Sequence, residues 1–357
     1  MINLLFIING LRLGGMERQL VEIIKGLAGT AIKTHLVVLN TVGAYSEIVQ
    51  KYLEEPVIYL DRRKHKIPTT ILTLNSYTRD RNIDIIHIQD SYSCYYALPV
   101  VKYNRLPIIN GMIRHAGVSK GLEYFIERWL LRKSNIIIAN SKAGLDFYRI
   151  KKGHVMYNLI DKSRFYKTRG TLQDIVMNAN FHHMKDHKTF FIAMRELYAM
   201  KRIKSIGLIG DGPTRSSYIE LAKQYGIYKV INFYGCINNV EEVITKYGIG
   251  VVCSTKKYKE GVSNSILEYM ASGVVSIGTN IGAVPEIIED GVNGFLIEPE
   301  NSKSLVEKII LIQDSDPKYL YDLKELAFNS LEDNHSPKKN IDKYKTILFS
   351  YLKRDET

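Results

Sequence analysis

Residues 248–279 read GIGVVCSTKKYKEGVSNSILEYMASGVVSIGT. The run Gly248–Cys253 is apolar and β-branched with no polar alternation, as in a strand covered on both faces. A polar loop follows. Then Asn264–Ala271 carries Ile266, Leu267 and Met270 at helical spacing behind a capping residue, Ser263 or Asn264. Ser272-Gly273 follows, and Val274–Thr279 is a second apolar run. A buried strand, a helix and another buried strand make a crossover unit of a parallel sheet.

The same alternation extends in both directions. Strands are expected at Leu4–Ile8, His35–Leu39, Val57–Leu60, Ile83–Ile88, Pro107–Ile113 and Asn135–Ala139, with helices at Met16–Ala28, Ser46–Leu53, Ile67–Asp80 and Leu122–Lys133. After a turn-rich stretch, Tyr157–Thr171, the pattern restarts. Strands follow at Asp174–Asn178, Ser205–Ile209, Val230–Phe233 and Gly294–Ile297. Helices follow at Asp186–Met200, Thr214–Tyr225, Val240–Lys246 and Ala283–Glu289, and the chain ends in helix over Ser302–Leu331 and Pro337–Leu352. This predicts an α/β chain of two doubly wound domains, residues 1–165 and 166–336. The helix at about 337–357 is expected to return to the first domain, with Tyr344, Ile347, Leu348 and Tyr351 as its core stripe.

At 357 residues the chain has room for two such domains, and 45% hydrophobic with 24% charged residues is ordinary for a globular enzyme. No run approaches the ~18 apolar residues of a membrane-spanning helix. Leu4–Ile8 is too short for a signal-peptide core and lacks a basic lead-in. Cys94, Cys236 and Cys253 show neither metal-ligand spacing nor an even disulfide set, which fits a reducing cytoplasm. The net charge of +12 is one-sided. Residues 1–170 hold 26 Lys and Arg against 13 Asp and Glu, while residues 171–357 hold 23 against 24. Either this is a solvated basic surface, or the first half attracts something anionic. No nucleic-acid motif is present, so a membrane surface or a phosphorylated lipid is the better-fitting anion.

Four segments carry candidate chemistry. Glu260 and Glu268 bracket a helix start whose free N–H groups and partial positive charge suit a diphosphate, and carboxylates on either side can accept from sugar hydroxyls. A capped surface helix with two solvated glutamates would have the same spacing. Gly14-Gly15-Met16-Glu17 and Gly210-Asp211-Gly212-Pro213 each join a strand to a helix through glycines, which permits a ligand, or merely a tight turn, against the backbone. Asn180–His187 gathers His182, His183, Lys185 and His187. No carboxylate spacing completes a metal site there, and a lysine aimed at phosphate is the better fit.

In this order these pieces, with Ile138–Ser141, Val155–Asn158, Lys185–His187, Gly282–Glu286 and Asp290–Leu296, resemble the retaining glycosyltransferases of family four, the glycosyl transferases group 1. The resemblance spans almost the whole chain and is most specific in its last third. It implies the GT-B fold, with two Rossmann-like domains facing across a cleft. The N-terminal domain would bind the acceptor and the C-terminal one the nucleotide-sugar. It further implies that Glu260 aligns the transferred sugar and that Glu268 binds the nucleotide ribose. Backbone N–H groups at Ser263, Asn264 and Ser265, with Lys185 and the Gly14–Gly15 turn, would hold the diphosphate. Gly212 would add close backbone approach. The loop with Ile237 would contact the base, and Arg114 or His115 would line the acceptor side.

Two departures stand out. His182 occupies a position where the family usually has arginine, and an imidazole cannot make a forked phosphate contact. Asn158-Leu159 stands where Asn-Gly is common. The implied function is metal-independent, retaining transfer of a hexosyl group from a nucleotide-sugar to a saccharide or pyrophosphate-lipid-linked acceptor, in cell-surface polysaccharide synthesis. No cofactor, metal or nucleic acid is implied. The chain would be cytoplasmic, with peripheral contact to an anionic membrane through Arg62–Lys66 and the helix bearing Trp129, although Trp129 reads first as core. A nucleotide-sugar epimerase or hydrolase of the same fold, or a non-catalytic partner subunit, would share most of these features.

Overall fold

The computed structural model describes residues 1–64, 66–117 and 120–352. His65, within the expected contact Arg62–Lys66, and residues 353–357, where the final helix is expected to continue, lie outside the described residues. The chain divides into two compact units. The first comprises residues 1–114, 119–159 and 337–357, and the second residues 115–118 and 160–336.

The first unit contains β1 (Ile2–Ile8), α1 (Gly15–Leu27), β2 (Ile32–Val38), α2 (Ser46–Gln50), β3 (Ile58–Tyr59), α3 (Ile67–Asp80), β4 (Ile85–Ile88), α4 (Ser91–Asn104), β5 (Ile108–Ile113), α5 (Gly121–Arg132), β6 (Ile136–Ala139), α6 (Lys142–Phe147) and β7 (His154–Val155). The second contains β8 (Asp174–Asn178), α7 (His187–Ala199), β9 (Ser205–Ile209), α8 (Arg215–Gln224), β10 (Ile231–Gly235), α9 (Val240–Ile244), β11 (Ile249–Val252), α10 (Asn264–Ala271), β12 (Val275–Thr279), β13 (Phe295–Ile297), α11 (Ser302–Asp314) and α12 (Pro317–Asn334). The last helix, α13 (Pro337–Leu352), belongs to the first unit.

Both sheets are wholly parallel, in the orders β3-β2-β1-β4-β5-β6-β7 and β10-β9-β8-β11-β12-β13. Each order reverses beside its first strand, at β1/β4 and β8/β11, and the crevice at the carboxyl ends of such strands is where doubly wound sheets bind ligands. The apolar runs are strands because helices cover both faces. Leu4, Phe6 and Ile8 pack with α1 and α13, while Leu5 and Ile7 pack with α3, α4 and α5. Tyr344, Ile347 and Leu348 of α13 are buried in the first of these layers. A side chain at Gly26 would strike Ile341, so this glycine lets α1 and α13 approach closely.

Three expectations are corrected. The helix expected at Ala283–Glu289 is a single 3-10 turn, Val284–Glu286, because Gly282 is left-handed at φ +62° and the Ala283 N–H is committed to the Glu260 carbonyl. The helix expected over Ser302–Leu331 is two, broken at Ser315 ahead of Pro317, where the preceding residues are driven out of helical conformation. Trp129 is not core. It is 52% exposed, because α5 buries Leu130 and Leu131 instead.

Candidate functional site

The carboxyl ends of β8 and β11 place a polar residue on each neighbouring strand, Asn178 and Ser254. From there the site builds outward through two carboxylates.

Glu260 is buried, and both of its oxygens are engaged. One pairs with the Lys185 ammonium and the other accepts from the Ser254 hydroxyl at 2.7 Å. The segments carrying these groups are tied through their backbones. Asp186 N–H donates to the Cys253 carbonyl at 3.0 Å, Ala283 N–H donates to the Glu260 carbonyl at 2.8 Å, and Glu260 bridges His115 in antiparallel fashion. Gly282 sits behind Glu260, where a Cβ would overlap the Glu260 carbonyl oxygen. The Tyr258 ring closes one side, with its centre 5.8 Å from Lys185 Nζ.

Glu268 is buried in α10 and accepts from Asn178 Nδ2 at 2.7 Å. Asn178 is fixed from two further directions. Its N–H donates to the Tyr269 hydroxyl at 2.7 Å, and its carbonyl accepts from Ser265 Oγ at 2.7 Å. Ser263 is the N-cap of α10 but makes no side-chain cap bond. The hydroxyl of Ser265 is spent on the strand, on the Asn178 carbonyl.

The Gly210–Gly212 turn packs against the chain just after β8. Gly210 is at φ +128°, and a Cβ there would overlap the Ala179 carbonyl oxygen; at Gly212 it would overlap that of Phe181. Gly210 N–H donates to the Gly235 carbonyl at 2.8 Å, which brings the half-buried Ile237 and its loop alongside this turn. His182 follows Phe181, with its ring 4.0 Å from that of His183 and its Nδ1 buried without a partner. His187 is separate from both. It is fully buried, stacks on Phe181 at 4.3 Å, and burial pushes its imidazole down to about 4, so it is a neutral core group. Among the described residues, no group of three or more His, Cys, Asp or Glu is arranged to hold a metal ion.

The first unit has its own polar cluster at the β1/β4 reversal. Asp90 caps α4 through Ser93 N–H and also accepts from Asn9 N–H at 2.8 Å, tying the two strand ends. Arg114 donates from Nη2 to Gln89 Oε1 at 2.6 Å and from Nε to the Gly111 carbonyl, and burial lowers its guanidinium to about 10. With its oxygen taken, Gln89 offers its amide N–H to His87 Nε2, 3.3 Å away, so His87 must carry its proton on Nδ1 and donate to the Tyr344 hydroxyl at 2.8 Å. Burial, aided by the Arg114 charge, lowers His87 to about 3 and keeps it neutral. A hydrogen-bonded chain thus runs from α13 to Arg114.

Gly14 and Gly15 do open α1, but the place of a Gly14 Cβ is already taken by the Glu17 carboxylate. Glu17 reaches back over its own helix start as in half of a capping box. Burial raises its carboxyl to about 6. The turn read as a phosphate contact therefore already faces a carboxylate.

Asn178, Ser254, Gln89, His87 and Tyr344 were not apparent as site residues from the sequence. The signal that marks the first two is a polar residue ending an otherwise apolar parallel strand.

Among known families, residues 160–328 match that described as "Glycosyl transferases group 1", and residues 13–164 match "Glycosyltransferase Family 4". The N-acetyl-alpha-D-glucosaminyl L-malate synthase of Bacillus anthracis is 23% identical over 77% of this chain and 77% of its own. The putative glycosyltransferase EpsD of Bacillus subtilis is 30% identical over 42% of this chain and 39% of its own. Among solved structures, HepE of Anabaena in complex with UDP-glucose superposes with a TM-score of 0.83, at 17% identity, over 98% of this chain and 100% of that one.

Proposed function

Because the chain belongs to glycosyltransferase family 4, with a group 1 glycosyl transferase domain, and has the GT-B fold, we propose that this glycosyltransferase retains anomeric configuration and works without a metal ion. The donor is a nucleotide-sugar held by the second unit. The acceptor is a saccharide or a pyrophosphate-lipid-linked saccharide at the inner face of a membrane, in cell-surface polysaccharide synthesis. HepE, whose structure holds UDP-glucose, supports a UDP-sugar.

The observation that carries this reading is the pairing of two buried carboxylates around the start of α10, with Lys185 on one and Asn178 on the other. Glu260 aligns the sugar by accepting from its hydroxyls. Glu268 takes the ribose. Lys185 and the N–H groups at Asn264 and Ser265 face the diphosphate, with His182 beside them. Transfer breaks the bond between C1 and the phosphate oxygen. A bond from the acceptor oxygen to C1 forms on the same face, and the acceptor proton passes to the departing phosphate. No carboxylate needs to become a covalent intermediate. Positive potential at the phosphates strengthens as the leaving group gains charge, so it favours the transition state over the ground state. Arg114, steadied by Gln89, and His115 serve the acceptor.

NMR of the product tests this. The newly formed linkage is expected to keep the donor's anomeric configuration, and EDTA is expected to change the rate by less than about twofold. An inverted centre or a rate abolished by EDTA would contradict the mechanism.

A further inference from the structure

The outer face of α5 is apolar, although none of the described residues covers it. Leu122, Phe125 and Trp129 recur at i, i+3 and i+7, so they share one side of the helix, and they are 75%, 65% and 52% exposed. The opposite side is also apolar: Leu130 and Leu131 are in the core, and Tyr124 stacks on Tyr148. A helix apolar on both sides calls for a second covering partner. The neighbouring helix α4, which lies between α3 and α5, carries exposed Tyr92 and Tyr95, and α3 begins with exposed Ile67.

Basic side chains frame this surface. Lys120 precedes α5, and Arg132 and Lys133 end it, with Lys133 Nζ 5.6 Å from the centre of the Trp129 ring. Arg63, Lys64 and Lys66 lead into α3, and the Arg62 guanidinium lies 4.3 Å over the Tyr92 ring. Aromatic and aliphatic residues bordered by Lys and Arg are the composition of a helix that lies in a bilayer interface.

We propose that the outer face of α4 and α5, with the basic entry to α3, docks onto an anionic phospholipid bilayer. Charge selects this occupant. The first 170 residues hold twice as many basic as acidic side chains, so a second copy of this face would bring like charge against like, whereas anionic headgroups complement it. Position gives the docking a purpose. Ile67, Tyr92 and Leu122 lie in the first turns of helices that follow β3, β4 and β5, so the patch begins at the strand edge where Arg114 and Gln89 sit. A lipid-linked acceptor would then reach that edge while its lipid stays in the membrane. The proposal rests on the reading of the acceptor as lipid-linked.

Trp129 is the chain's one tryptophan and therefore reports its own surroundings. Vesicles of phosphatidylcholine with phosphatidylglycerol, at low salt and without acceptor, are expected to shift its emission to the blue. Brominated lipid is expected to quench it. Phosphatidylcholine alone should do neither. Leu122→Ser with Phe125→Ser should weaken binding at least about tenfold. Arg63→Ser, Lys64→Ser and Lys66→Ser should each weaken it about fivefold, less as salt rises. All should keep the wild-type thermal midpoint and its response to UDP. Protein that is stabilised by UDP but leaves Trp129 in water, or that floats with vesicles while Trp129 stays unquenched, overturns the docking surface and leaves the transferase reading standing. Docking by a protein that no nucleotide stabilises does the reverse.

Discussion

Replacing Glu260 with alanine is expected to lower kcat by about 10²–10³-fold, roughly 3–4 kcal/mol of transition-state stabilisation, while leaving the affinity for free nucleotide within a few fold. The backbone of this loop does not depend on the carboxylate. The Ala283 N–H holds the Glu260 carbonyl and the His115 bridge holds its other edge, so the variant should fold. What is lost is the acceptor of hydrogen bonds from the sugar, together with the counter-charge of Lys185, which lies half-buried beside Tyr258. An unbalanced ammonium in that setting is costly and will draw in water or an anion. Glu260→Gln keeps the shape and one acceptor oxygen and should recover part of the rate. Steady-state kinetics with the full donor, beside equilibrium binding of the nucleotide alone, separates the two quantities. A variant within about tenfold of wild-type kcat would show that this carboxylate does not align the sugar.

Lys185→Ala should cost at least as much, but with a different signature. The lysine faces both the Glu260 carboxylate and, in the proposed complex, the diphosphate, so its loss should weaken nucleotide binding as well as slow transfer. A charge-assisted contact to phosphate contributes about 1.5–3 kcal/mol to binding, and more as negative charge builds on the leaving group. We expect kcat/KM to fall by about 10³-fold or more, with free nucleotide bound about tenfold more weakly. Lys185→Arg should restore binding better than rate, because a planar fork cannot take the same point position against Glu260 and the Tyr258 ring. The Lys185→Ala, Glu260→Ala double variant should lose less than the two single losses combined, since each single change strands the other's charge. Strict additivity would mean that the pair acts independently.

Much of the architecture was legible because its strands are covered on both faces. Asp174–Asn178 and Ser205–Ile209 form as read, and so does Asn264–Ala271, whose apolar side and glycine stop leave little alternative. The helix α4 was missed. Its tyrosines fall on both sides and Pro99, a residue that argues against a helix interior, lies within it, so no clean helical signal survives. The strand β7 is two residues at a sheet edge and too short to carry a pattern. At the site, Glu260 and Glu268 were legible because a helix start lies between them. Their partners were not, because Ser254 and Asn178 meet them through the register of neighbouring strands, β11 and β8, which are far apart in sequence. The exposure of Trp129 was likewise hidden, since the pattern of α5 is apolar on two sides and sequence alone cannot say which side the sheet takes.

The central claim is that the β8/β11 crevice of the second unit holds the nucleotide of a sugar donor. Thermal unfolding with UDP, GDP, ADP and CDP, with and without magnesium, tests it most directly. UDP should raise the midpoint in a concentration-dependent and magnesium-independent way, and Glu268→Ala should abolish that rise while leaving a cooperative transition. No stabilisation by any of the four at millimolar concentration, or an undiminished shift in Glu268→Ala, would contradict it.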